Sequence, residues 1–152
     1  MIKIKQLLAP TDFSDASAHA MQYAVEFAKT YGAELHLVHV IEPVLYPAEM
    51  FGQVGLVDAA TVIEKAGQEE LVEWHAKHIP AGMACNVTIL HGNPTTEILD
   101  YAKSKKIDLV IIATHGRGAI DHLLLGSTTE KIVRKSPCPV LTVRAHGKEI
   151  LT

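Results

Sequence analysis

Residues Ile107–Val143, IDLVIIATHGRGAIDHLLLGSTTEKIVRKSPCPVLTV, decide the fold of this chain. Within them Leu109–Ala113 is uniformly apolar, the pattern of a parallel strand buried on both faces. Gly116, nine further residues and Gly126-Ser127 then set backbone-permissive points at both ends of one loop. Ser127-Thr-Thr-Glu130 reads as a capping box that opens a helix. Pro137 and Pro139 punctuate the entry into a last strand, Val140–Arg144. The loop thus feeds a helix N-terminus, whose free N–H groups and dipole favour an anion, and phosphate is the ligand class that follows. The same glycines also suit plain turns, with Gly126 merely preceding the cap, and on spacing alone the two readings stand level. No Gly-Lys-Ser/Thr occurs, which excludes a Walker A loop. Gly116-Arg-Gly118 lacks the third glycine of a dinucleotide fingerprint.

Outward from this segment, strand and helix patterns alternate. Ile4–Ala9 is a short apolar strand closed by Pro10-Thr11-Asp12. A helix over 14–31 follows, its apolar face carrying Ala20, Met21, Ala24, Val25, Phe27, Ala28 and Tyr31, with Gly32 as its stop. Leu35–Ile41 is the second strand. Residues 42–57 hold two prolines and two glycines without a period and read as a long loop. Asp58 suits the cap of a helix running to Ile79, with Ile63, Gly67, Leu71, Trp74 and His78 at helical spacing. In Cys85–Leu90, Val87 and Ile89 alternate with Asn86 and Thr88, as in an edge strand with one wet face. Asn93-Pro94 is a cap followed by a first-turn proline, and that helix ends at the Lys103, Lys105 and Lys106 cluster.

The alternation defines an α/β fold: an open five-stranded parallel sheet, strand order 3-2-1-4-5, with helices on both faces. In that order the switch point lies between the first and fourth strands, and ligands bind outside their C-terminal ends. Those ends are Pro10-Thr11-Asp12 and Ala113-Thr114-His115-Gly116. Topology and the glycine loop therefore point to one place.

Composition sets the frame. A chain of 152 residues fits one domain spanning 1–152. The net charge of −3 argues against a nucleic-acid binder working through a basic face. Cys85 and Cys138 show no CxxC spacing and build no disulfide framework. No stretch approaches the roughly 20 apolar residues of a membrane span, and the expectation is a cytoplasmic domain. Among nine histidines, His36 and His39 are three apart on a strand and point to opposite faces. His75 and His78 are three apart on a helix, yet no carboxylate or cysteine completes a metal set, so solvated surface histidines are expected. His115 lies inside the loop and suits either a phosphate contact or a turn-stabilising hydrogen bond; with His122 it is the histidine to test. No catalytic set emerges, and Asp12 and Asp121 are the carboxylates near the loop. Cys138, between prolines, reads as a packing residue.

LLAPTDFSDAS at 7–17, LHLVHV at 35–40, GNPTTEIL at 92–99, ATHGRGAIDHLLLGSTTEKIV at 113–133 and CPVLTVR at 138–144 together resemble the universal stress protein family over essentially the whole chain. The resemblance implies a five-stranded α/β fold and a homodimer through the C-terminal strand. One branch of the family binds ATP through a loop written G-x2-G-x9-G-S/T, and another lacks that loop and binds no nucleotide. Gly116 matches the second glycine, Gly126 the third and Ser127 the hydroxyl residue, while Ala113 replaces the first, near the ribose and α-phosphate. Alanine is tolerated there at negative φ, which a strand end favours, and costs about 1–2 kcal/mol at positive φ. By the same resemblance Asp12 contacts the ribose or adenine region, Pro10 and Thr11 form the adjacent wall, and Val40 supplies a backbone contact and flanks the adenine. Asp12 also suits a simple capping role for the helix near Ser14. Thr128, with Thr129, lends N–H or hydroxyl groups to the terminal phosphates.

The expectation is therefore a homodimer that binds ATP with Mg²⁺ and signals through nucleotide-dependent ordering of 113–128 and 42–57. Turnover is at most slow ATP hydrolysis. The alternative is a nucleotide-free dimeric interaction protein of the same fold, which Ala113 keeps open. The sequence identifies no protein partner.

Overall fold

The computed structural model describes residues 1–43, 52–116 and 125–144, and of 52–59 the backbone alone. The elements follow in the order β1 (Gln6–Pro10), α1 (Asp15–Tyr31), β2 (Glu34–Ile41), α2 (Gly52–His78), β3 (Cys85–His91), α3 (Pro94–Ser104), β4 (Leu109–Ala113), α4 (Ser127–Lys135) and β5 (Val140–Val143). The strands form one sheet in the order β3-β2-β1-β4-β5, and all four pairings are parallel. β1 sits centrally, with Leu7 paired to Leu35 of β2 on one side and to Leu109 of β4 on the other. The expected topology and switch point are the observed ones.

Strand alternation divides the core into two layers. Leu7, Ala9, Leu35, Leu37 and Ile111 pack beneath α1 and the C-terminal third of α2, against Ala24, Ala28, Leu71 and Trp74. Leu8, Val38, Val110 and Ile112 pack beneath α3 and α4, against Ile98, Tyr101 and Ile132. Each helix covers a face that would otherwise expose a row of aliphatic side chains.

Several local expectations need correction. α2 starts at Gly52, so Asp58 lies inside the helix rather than at its cap; 44–51 lie outside the described residues. Gly52 and Gly55 each cost only about 1 kcal/mol relative to alanine, which a long helix absorbs. Tyr31, in the last turn of α1, is 44% exposed, its ring lying beside that of Phe27 rather than in the core. Gly32 does stop that helix, at φ +63°, with its N–H on the Ala28 and Lys29 carbonyls. β3 is the sheet edge expected of it; Cys85 and Ile89 pack against the core on one face, but Val87 between them is 42% exposed, and Thr88 on the other face is hydrogen-bonded to Tyr101.

His36 also departs from the expected surface histidine, being 4% exposed within the α3 layer. Gln6 Nε2 donates to Glu34 at 3.1 Å, which turns Gln6 Oε1 toward His36 Nε2 at 2.6 Å. That arrangement assigns the proton to Nε2 and leaves Nδ1 to accept from the Tyr101 hydroxyl at 2.9 Å. Burial pushes the His36 imidazole below its ordinary range, and burial does the same to His78 beside Trp74. Both rings resist protonation when folded and accept it freely when unfolded, so stability is lost as pH falls through about 6.5. Urea midpoints should therefore fall between pH 7.5 and 5.5, and His36→Gln should flatten that dependence. An unchanged slope in the variant would refute the assignment to His36.

Candidate functional site

The C-terminal ends of β1, β2 and β4 open into a cavity of about 510 Å³, within the range of small-molecule sites. Its position follows from the topology: β2 and β4 leave β1 on opposite sides, and their following segments part above it. The β2 side is lined by Val38, His39, Val40 and Glu42, with Pro94 and Ile98 from the start of α3. The β4 side is lined by Ile112, Ala113, His115 and Gly116, with Gly126, Ser127, Thr128 and Thr129 from the start of α4. Pro10, Thr11 and Asp12 lie between, with Ser17 behind them.

The cavity brings together all ten residues singled out in the sequence: Pro10, Thr11, Asp12, Val40, Ala113, His115, Gly116, Gly126, Ser127 and Thr128. Arg117, Gly118, Asp121 and His122 lie outside the described residues. Sequence reasoning missed Ser17, Val38, His39, Glu42, Pro94, Ile98 and Ile112 as cavity walls and gave Thr129 only a secondary place. Pro94 and Ile98 carried a usable signal, because residues four apart on a helix share a face.

Backbone hydrogen bonds hold the walls. Thr11 N–H donates to the Val38 carbonyl at 2.8 Å, tying the end of β1 to β2. Thr114 N–H donates to Val143 at 2.9 Å, and Gly126 N–H donates to Thr114 at 2.7 Å. The buried Thr129 hydroxyl donates to the Ala113 carbonyl at 2.8 Å, locking the first turn of α4 onto the tip of β4. Ala113 itself is absent from the positive-φ residues, and its methyl packs in the α1 layer of the core. The alanine substitution thus sits at the backbone geometry that tolerates it.

Asp12 does not cap α1 directly. Its Oδ1 accepts from both the N–H and the hydroxyl of Ser14, at 3.0 and 2.5 Å. Ser14 is the N-cap, its side chain accepting from Ser17 N–H. Asp12 is therefore one step behind the cap, bracing it while its own carboxylate faces the cavity. A Cβ on Gly116 would fall against Asp12 Oδ2. That glycine makes room for the carboxylate, a reason distinct from the phosphate approach read from spacing.

The expected capping box at α4 does not form. Gly126 is the N-cap, at φ −66° and ψ 153°, and Ser127 is the first helical residue. Among the described residues no side chain caps this helix, whereas Ser14 caps α1 and Asn93 caps α3. The difference is that a helical Ser127 cannot adopt the extended backbone from which a cap side chain reaches back. The first turn of α4 lines the cavity, and no described side chain there stands in for an anion. His115, also at this end, meets the Thr114 hydroxyl through Nδ1 at 2.9 Å.

Among the described lining residues the formal charges are those of Asp12 and Glu42, with no lysine or arginine. His36 and His39 do face opposite layers: His39 Nδ1 meets the Thr11 carbonyl at 2.8 Å, and its ring packs on Phe13. Among the described residues, no group of three or more His, Cys, Asp and Glu is placed to hold a metal ion. No helix there is long and apolar enough to cross a membrane. Cys138 packs against the α3–α4 layer, in keeping with a packing role.

The family model for the universal stress protein family matches residues 3–144, and the chain belongs to that family. Universal stress protein MJ0531 of Methanocaldococcus jannaschii is 33% identical over 148 residues, covering 95% of this chain and 85% of that protein. The solved structure of MJ0577 from the same organism superposes with a TM-score of 0.78 at 26% identity, over 97% of this chain and all of that one. Two more distant structures share the fold. A universal stress protein in complex with cAMP has a TM-score of 0.63 at 21% identity, covering 95% of this chain and all of that one. A family member from Arabidopsis thaliana with AMP bound has a TM-score of 0.63 at 19% identity, covering 94% and 93%.

Proposed function

We propose that this universal stress protein binds ATP, with Mg²⁺, in the cavity over β1 and β4, and that occupancy is its regulatory signal. The observation that carries the reading is the N-terminus of α4, a helix start that lines the cavity and that no described side chain caps, unlike those of α1 and α3. Its backbone N–H groups, with the hydroxyls of Ser127 and Thr128, would hold the phosphates. Val38, Val40, Pro94 and Ile98 offer apolar lining for the base on the β2 side, and Asp12, on the segment between the two walls, would meet the ribose. Mg²⁺ would neutralise phosphate charge, a need made sharper by the two carboxylates of the described lining.

The protein acts as a single domain over 1–152, in the cytoplasm. It forms a homodimer in which the four-residue edge strand β5 pairs antiparallel with its copy. ATP is held as a ligand, with turnover at most slow. The nucleotide-free alternative rested on Ala113, whose backbone geometry gives it no support.

A thermal-shift titration tests the reading. At 100 times Kd, one-site linkage stabilises the folded state by about 2.7 kcal/mol, seen as a saturable rise in Tm that shrinks without Mg²⁺. No shift up to millimolar ATP would refute it.

A further inference from the structure

We propose that Phe13 couples the cavity to α2, so that filling the cavity changes the packing of Trp74. The ligand side of this inference rests on the nucleotide reading above; the coupling itself does not. Phe13 holds φ at +63°, a conformation a bulky L-residue keeps only where its surroundings impose it. The surroundings here are aromatic. The Phe13 ring lies 4.2 Å from the His39 ring, tilted by 31°, and 5.6 Å from Trp74, edge-on at 64°. Its N–H donates to the Thr11 hydroxyl at 3.0 Å.

The residues that precede this ring in the chain and the histidine it stacks on belong to the cavity. Thr11, Asp12 and His39 line it, and His39 Nδ1 meets the Thr11 carbonyl. A ligand that draws residues 11–12 toward itself therefore moves the backbone that aims the Phe13 ring. On the far side, Trp74 and Leu71 are the buried residues of α2 among those described, so they set how the helix seats on the sheet. Trp74 Nε1 and His78 Nε2 are buried without hydrogen-bond partners among the described residues. No directional bond among the described residues thus fixes the indole, and packing decides where it rests: the rings of Phe13 and of His78, the latter at 4.2 Å, and the aliphatic core around it. A strained residue wedged between cavity wall and a helix held by packing is a two-position joint.

Trp74 is the one tryptophan of the chain, so its emission reads the joint directly. ATP with Mg²⁺ is titrated by calorimetry and by emission in parallel. The wild type should show an emission shift that saturates with the calorimetric Kd. Phe13→Gly accepts the positive φ without a ring, and should retain the heat of binding while losing the emission shift; Phe13→Leu serves if that variant does not fold. Binding heat without an emission change in the wild type, or a full change in Phe13→Gly, would overturn the coupling. Absence of binding heat would sink the nucleotide reading alone, and the coupling is then decided in the free protein. There, His39→Ala and Trp74→Phe should be non-additive in urea unfolding and become additive in a Phe13→Gly or Phe13→Leu background. Additivity with Phe13 in place would overturn the proposal.

Discussion

Gly126→Asp should leave the protein at least as stable as the wild type while weakening ATP binding by about 10²–10³-fold. The two effects have one cause. At φ −66° and ψ 153° the N-cap of α4 admits any residue, and a Cβ there comes only to 3.4 Å from the Thr114 carbonyl oxygen. An aspartate can therefore do at α4 what Ser14 does at α1 and Asn93 at α3, accepting a first-turn N–H. A capping carboxylate is worth a few tenths of a kcal/mol over glycine, and the helix dipole adds about 0.3–1 kcal/mol. The same carboxylate occupies the donors and places a negative charge where the phosphates are proposed to lie. Losing one or two charge-assisted hydrogen bonds, at about 1.5–3 kcal/mol each, gives the stated loss of affinity. Calorimetric unfolding and ATP titration on one preparation separate the two effects. Wild-type affinity in this variant would show that the phosphates do not use the α4 terminus.

Ile132→Ala should cost about 2–5 kcal/mol of stability, a large part of the roughly 5–15 kcal/mol available to a domain. Ile132 is fully buried, and Thr129 is the other buried residue of α4. The side chain is thus the apolar anchor that seats this nine-residue helix against Ile98, Tyr101 and Ala102. Because α4 carries the anion end of the cavity, its local loosening should weaken ATP binding as well. A shift in the urea midpoint worth less than about 1 kcal/mol would mean that α4 is held mainly by other contacts.

The features legible in the sequence were those written in a single element. The uniform apolar run Leu109–Ala113, buried at every position, reads directly as a central strand. The alternation of elements then limits the sheet to few orders, and the switch point selects the loops after β1 and β4. What was not legible depends on partners distant in sequence. His36 reads as one histidine among nine until Gln6 and Tyr101 close around it. His39 and Phe13 meet across 26 positions, and no local pattern announces that contact. The start of α2 was missed because glycine and aperiodicity weigh against a helix locally, while extension from an established helix costs little. Ser127 was misplaced as a cap for a related reason: a serine beside a glycine leaves two candidates for one N-cap, and backbone geometry chose the glycine.

The most direct test of the account is a crystal structure of the protein grown with ATP and Mg²⁺. The account predicts the base beside Val40 and Ile98, Asp12 at the ribose, and the phosphates at Gly116, Gly126 and the first turn of α4. Phosphates on the β2 side, or a cavity left empty at saturating nucleotide, would contradict it.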